Sequence, residues 1–141
     1  MADDKLFQLN IISPERIFYE GKAVMVELTT SEGEVGIYKN HIPMTLLIVP
    51  GIVTITEEDG SKRLAAIHSG FMEVLPDKVT IMAEVAEWPE EIDVNRAKEA
   101  QVRAERRLQR KDPMLNLNRA EMALRKALVR QELADTVKNT K

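Results

Sequence analysis

His41 and His68 are the only histidines in this chain of 141 residues, and it contains no cysteine. General-base or nucleophilic chemistry needs a second group within hydrogen-bond reach. Neither histidine has a cysteine or a suitably spaced metal ligand near it, and Ser31, Ser61 and Ser69 lack an elbow such as GxSxG. His68 lies in LAAIHSGFMEV, strand-like surroundings that mark a structural position, whereas His41 lies in the turn GIYKNHIPM, where exposure suits a contact. The glycine-containing SEGEVG has neither Walker spacing nor a Lys-Ser/Thr ending, and Glu32 and Glu34 would repel phosphate. It reads as a tight surface turn in which Gly33 and Gly36 permit unusual backbone angles, or as a protein-contact loop. No catalytic residue and no metal ligand is expected.

Charge is the stronger signal. The stretch from Glu91 to Asp112 holds five arginines and two lysines. Arg96, Arg103, Arg107 and Arg110 recur at intervals of seven, four and three, one face of a helix, and Arg119, Lys126 and Arg130 do the same further on. Guanidinium forks bind phosphate bidentately, so two such rows could hold one anion. Three readings stay open: surface pairing with Glu99, Glu105 and Glu121, a specific anion, or an acidic protein surface.

These rows sit in an acidic chain of formal net charge -3. Residues 1 to 86 carry seven Lys and Arg against thirteen Asp and Glu, a balance of -6, and residues 87 to 141 carry thirteen against ten, a balance of +3. That asymmetry argues against general nucleic-acid binding. The missing cysteines exclude disulfides and thiolate chemistry and fit a reducing compartment. MADDKLFQLN lacks the basic and apolar regions of a secretory signal, and MTLLIVPGIVTI, the longest apolar run, is divided by Pro50 and Gly51.

Two kinds of element position these residues. In the first part Phe7, Leu9 and Ile11 alternate with polar residues, Val24, Val26 and Leu28 share a face, and so do Val79, Ile81, Ala83 and Val85. Asp59-Gly60 and LPDK supply turns, so short antiparallel strands packed as a sandwich or flattened barrel are expected. Near Trp88-Pro89 the period becomes helical. Asp93 caps a first helix with an apolar stripe of Ala97, Ala100, Ala104 and Leu108, Arg110 and Lys111 lie at its end, and Asp112-Pro113 interrupts it. Asn118 and Glu121 form a capping box for a second helix whose face holds Ala120, Ala123, Leu124, Ala127 and Leu128. The expected organisation is a domain over 1–86 and a hairpin over 87–141, with helices at about 93–110 and 119–136. Its thin alanine seam should open cheaply.

In this order, FQLNIISPERIFYEG, VELTTSEGEVGIYKNHIPM, IHSGFMEVLPDKVTIMAEVAE, IDVNRAKEAQVRAERRL and NRAEMALRKALVR resemble the epsilon subunit family of bacterial F-type ATP synthases, called delta in mitochondria. The likeness runs essentially the full length. It implies a ten-stranded β-sandwich followed by two helices, in a non-catalytic subunit that couples gamma to the ring of c subunits on the cytoplasmic face of the plasma membrane. Membrane association would come only through the complex. By likeness, Glu32, Gly33, Tyr38, Asn40 and His41 form a loop facing the c ring, with Asn40 where relatives often have glycine. The helices resemble a movable element that extends into the alpha/beta hexamer and opposes ATP hydrolysis, with Arg107, Arg110 and Arg119 facing acidic beta-subunit surfaces.

No cofactor is required by this likeness, but some relatives bind regulatory ATP through an I/L-D-x-x-R-A motif. Ile92, Asp93, Arg96 and Ala97 match it, Glu87, Arg103 and Arg130 match other nucleotide-facing residues, and Lys126 stands where such relatives carry arginine. Lysine keeps the charge and loses the planar fork. The competing readings are a β-sandwich adaptor whose helical tail binds an acidic protein, and a stand-alone ATP-sensing domain.

Overall fold

The computed structural model describes residues 5–110, 114 and 116–139, Asn139 by its backbone alone. The chain divides into two units, Met1–Glu87 and Trp88–Lys141. The first holds seven strands: β1 Phe7–Ile12, β2 Ile17–Thr30, β3 Gly33–Tyr38, β4 Met44–Ile48, β5 Gly51–Glu57, β6 Lys62–Val74 and β7 Lys78–Glu87.

Three of these strands are long because each serves two sheets. β2 pairs with β1 as far as Ala23 and with β3 and β5 beyond it. β6 pairs with β5 through Ile67 and with β4 from Gly70 onward, while β7 follows β6 throughout and β1 only through Met82. One five-stranded sheet therefore runs β4, late β6, early β7, β1, early β2. The other runs β3, late β2, β5, early β6, late β7. The architecture is the expected β-sandwich, and its ten arms are seven continuous strands because β2, β6 and β7 cross between layers. The β1–β7 pair is parallel, so the sheets are not wholly antiparallel as the sequence suggested.

Each crossing bends the backbone and shifts the alternation of side chains. In β6 the bend is at Ser69 and Gly70, with φ 56 and 150. A Cβ on Gly70 would overlap the Met82 carbonyl oxygen, so only glycine fits where β6 lies over β7. In β2 the register with β5 shifts between Ala23 and Met25. This is why Ala23, Val26 and Leu28 are buried while Val24 is only half-buried. Past its own crossing, β7 buries Ala86 and leaves Val85 half-buried, again unlike the uninterrupted stripe expected. Phe7, Leu9, Ile11, Ile37, Val53, Ile55, Ile67, Met72 and Ile81 fill the interior.

The second unit starts with a 3-10 turn at Pro89–Glu91, followed by α1 Val94–Gln109 and α2 Leu117–Asn139. Asp93 caps α1, its carboxylate accepting from the Arg96 amide at 3.1 Å. The cap of α2 is Asn116 rather than Asn118: its side-chain oxygen accepts from Arg119 N at 3.1 Å and its carbonyl from Ala120 N at 3.1 Å. The earlier cap lengthens the helix, which leaves Asn118 and Glu121 exposed within the first turns. Lys111 and the Asp112-Pro113 break lie outside the described residues.

Ala97 and Ala104 of α1 and Ala120 and Ala127 of α2 are buried, with Ala100, Leu108, Ala123 and Leu124 half-buried. Leu128, placed on this face by its spacing, is 44% exposed, because it lies roughly 80° around α2 from the Ala120–Ala127 line. Val129 and Leu133, on the opposite side of α2, are buried instead. Each buried alanine methyl contributes only about 0.8 kcal/mol, against roughly 1.5–3 kcal/mol for a large aliphatic side chain.

In the early arm of β2 the Tyr19 hydroxyl donates to Glu57 Oε2 at 2.9 Å. Burial first, then the bond to Glu57 and its charge, push the phenol from 10.0 to about 12. A raised folded-state pKa stabilises the fold below the unfolded value and is lost as pH rises through the folded one. Urea unfolding should therefore show stability falling between about pH 10 and about 12, and Tyr19→Phe should flatten that slope. An unchanged slope would remove Tyr19 as its source.

Candidate functional site

His68 is fully buried, and its Nε2 donates to Glu87 Oε1 at 2.9 Å. Its Nδ1 is buried with no hydrogen-bond partner. Glu87, matched above to a nucleotide-facing residue, thus ends β7 and engages a core histidine of the same unit. Among the described residues no group of three His, Cys, Asp or Glu could hold a metal ion. A cleft of about 380 Å³ on the sandwich is lined by Glu27, Glu34, Gly36 and Thr54, a setting that repels phosphate.

The hairpin offers the opposite chemistry. Arg96, Arg103, Arg107 and Arg110 of α1 are exposed, as is Arg119 of α2, while Lys126 and Arg130 are half-buried. Each row lies roughly 100° from its own alanine stripe in the same rotational sense. In an antiparallel pair those two flanks fall on one side of the seam, so the packing of α1 on α2 brings both rows to one face. Among the described residues the guanidinium groups of Arg96, Arg103, Arg107, Arg110 and Arg119 meet no carboxylate, so the pairing with Glu99, Glu105 and Glu121 that the spacing allowed does not form. Asp93 holds the Arg96 backbone amide, which fixes the start of the row.

The five residues assigned to one ring-facing loop do not form one. Glu32 and Gly33 occupy the β2–β3 turn, closed by Thr30, whose Oγ1 donates to the Gly33 carbonyl at 2.8 Å and accepts from Glu32 N at 3.1 Å. Gly33 has φ 106, as the turn demands, whereas Gly36 lies within β3 without an unusual angle. Tyr38, Asn40 and His41 lie at the far end of β3, about 17 Å away at ~3.4 Å per residue. Asn40 adopts φ 67, the left-handed conformation for which asparagine is suited, and its amide donates to the Pro76 carbonyl at 2.6 Å. His41 is half-buried, with Nδ1 donating to the Ile42 carbonyl at 3.0 Å.

Sequence reasoning missed an apolar surface. Leu47 of β4 is level with Phe71 of β6, Phe71 with Met82 of β7, Met82 with Ile12 of β1, and Ile12 with Ile17 of β2. All five are exposed, from 37% to 64%. The next outward row along the strands is polar: Thr45, Glu73, Thr80, Asn10 and Glu20. The apolar row thus forms a band across the outer face of one sheet. Its end at Leu47 adjoins the Glu32–Gly33 turn, since Ser31 N donates to the Leu47 carbonyl at 3.0 Å. A signal existed, in doubled apolar residues where alternation calls for a polar one: Ile11-Ile12, Leu46-Leu47, Phe71-Met72 and Ile81-Met82.

The family model described as "ATP synthase, Delta/Epsilon chain, beta-sandwich domain" matches residues 6–89, and "ATP synthase, Delta/Epsilon chain, long alpha-helix domain" matches residues 90–134. Similar proteins include the ATP synthase epsilon chains of Caldanaerobacter subterraneus, 44% identical over 93% of this chain and 95% of that one, and of Exiguobacterium, 46% identical over 90% and 94%. That of Clostridium novyi is 41% identical over 92% and 98%. Among solved structures, a chain of the Euglena gracilis mitochondrial ATP synthase aligns with TM-score 0.79 at 24% identity, covering 94% of this chain and 81% of that one. A chain of the Tetrahymena thermophila mitochondrial ATP synthase central stalk and c ring aligns with TM-score 0.60 at 11% identity, covering 91% and 96%. These two likenesses establish a shared fold. With both family models matched end to end and relatives above 40% identity along nearly the whole chain, the protein belongs to the delta/epsilon chain family of ATP synthases.

Proposed function

We propose that the chain is a non-catalytic rotor subunit of an F-type ATP synthase whose sandwich couples gamma to the c ring and whose helices restrain ATP hydrolysis. The observation that carries this reading is the exposed apolar band from Ile17 to Leu47, aligned across five strands. Such a band favours a protein partner, because water gains when it is covered. Gamma is the partner it fits, since a rotor subunit needs a broad, permanent contact that transmits torque. The Glu32–Gly33 turn adjoins the band through Ser31 and Leu47, and in this reading it meets the polar loops of the c ring. Tyr38, Asn40 and His41, at the other end, belong to a separate contact.

The hairpin supports regulation in two ways. Its alanine seam buries little apolar surface, so parting the two helices costs little. Among the described residues Arg96, Arg103, Arg107, Arg110 and Arg119 meet no carboxylate, which suits an acidic beta-subunit surface in the extended form or a regulatory ATP in the compact one. Asp93, Arg96, Arg103, Lys126 and Arg130 would serve the nucleotide. Glu87 starts from a bond to His68, which it would have to share or release.

Three outcomes follow from this reading. Phe71→Asp combined with Leu47→Asp should leave the strand spectrum unchanged and weaken binding to purified gamma by about 30-fold or more, the scale of losing interface hot spots. Undiminished binding by calorimetry would remove the band as the gamma face. A chain ending at Glu87, which keeps the partner of His68, should assemble and support proton-coupled synthesis while hydrolysis by the complex rises; equal hydrolysis in the two complexes would exclude the inhibitory role. Titration of the isolated chain with ATP should shift amide resonances in α1 and α2 saturably, less with ADP and not in Arg96→Ala. Absence of shifts at millimolar ATP would assign the arginines to protein surfaces alone.

A further inference from the structure

A side-chain hydrogen bond between α1 and α2 joins two amides: Gln131 Nε2 donates to Gln101 Oε1 at 2.7 Å. Both residues are half-buried. Gln101 lies one turn after Ala97 and Gln131 one turn after Ala127, so both occupy the buried stripes and not the rim. Gln131 Nε2 also lies 3.4 Å from the Ala127 carbonyl, which orients its amide along the helix toward the partner. With Gln101 and Gln131 level, antiparallel geometry sets Ala104 level with Ala127 and Leu108 level with Leu124, to within a residue.

Alanines recur so regularly here that they specify the pairing weakly. Sliding α2 by one turn brings Ala100 against Ala127 and Ala104 against Ala123, small residue on small residue again. Leu108 and Leu124 part as well, but each then lies level with an alanine, Ala120 or Ala104, and stays against an apolar group; the glutamine pair has no such substitute. After the slide, each amide faces apolar groups and loses its partner, and a half-buried polar group without a partner is disfavoured. Single polar pairs fix register in helical seams in this way, where apolar layers leave it open.

We propose that the Gln101–Gln131 pair is the register lock of the hairpin, selecting one compact arrangement from several that the alanine seam would accept. It contributes selectivity more than stability, because water satisfies both amides once the helices part. The hairpin can therefore be well defined when closed and still open readily. This lock operates whether or not the helices regulate hydrolysis, so the two ideas can fail separately.

The absence of native cysteine makes disulfide trapping a clean ruler of register. In the full-length chain, Ala104→Cys with Ala127→Cys reports the observed register, and Ala100→Cys with Ala127→Cys reports the one-turn slide. With both glutamines present, the first pair should cross-link in excess of the second by roughly fivefold, the discrimination that one net hydrogen bond supplies. In a Gln101→Leu and Gln131→Leu background the two yields should converge with no loss of thermal stability. Gln131→Glu, whose carboxylate can still accept from the Gln101 amide, should restore the preference. If the leucine background keeps the preference, the apolar seam sets the register without the amides and the proposal is overturned. Should that background lose helix by circular dichroism, Gln101→Ala poses the same question, and an unchanged preference there overturns the proposal equally.

Discussion

The sandwich depends on the places where its long strands turn from one layer to the other. The overlap of β6 and β7 at Gly70 is the tightest of these, since a side chain there would occupy the space of the Met82 carbonyl. Because β6 bends at Ser69 and Gly70, its first half can pair with β5 and its second with β4. The two sheets are thereby one continuous hydrogen-bonded object, and every register downstream is fixed relative to the core. A packed interior of Phe7, Leu9, Ile11, Ile55, Met72 and Ile81 follows, as does the position of everything that faces out.

That rigid register creates the apolar band. Ile12, Ile17, Leu47, Phe71 and Met82 come from five separate strand arms, and only the alignment of those arms makes one surface of them. The proposed contact with gamma benefits from such an origin, because hydrogen-bonded strands hold its members in fixed relation. The Glu32–Gly33 turn shares this rigidity, closed by Thr30 and tied to β4 through Ser31. The two contacts proposed for the sandwich are therefore held in fixed relation to each other.

The helical unit follows the opposite design. Its seam is built largely from alanine methyl groups, the basic row of α1 is exposed, and a hydrogen bond between the helices joins two neutral amides. Little burial energy holds it closed, while the amide pair keeps the closed form specific. α2 is not a simple amphipathic helix: Ala120 and Ala127 are buried on one side, Val129 and Leu133 on the other.

Periodicity in the sequence determined most of the element types and the layered class, because alternation in Phe7, Leu9 and Ile11 and helical spacing in Ala97 and Ala104 are local properties. It also determined the basic rows, since residues seven, four and three apart share a helix face whatever the fold. Three things were decided only by tertiary structure. The phase of β2 and β7 changes at their crossings, so Val24 and Val85 leave the buried face that strict alternation assigned them. The cap of α2 fell to Asn116 over Asn118, two similar residues between which local pattern cannot choose. The five members of the apolar band are scattered between residues 12 and 82, and each alone looks like an ordinary exposed residue. Likewise Glu32 and His41 read as one loop in the sequence, yet β3, Gly33–Tyr38, separates them. Local pattern specifies which way a side chain faces within an element; only pairing between elements specifies what stands beside it.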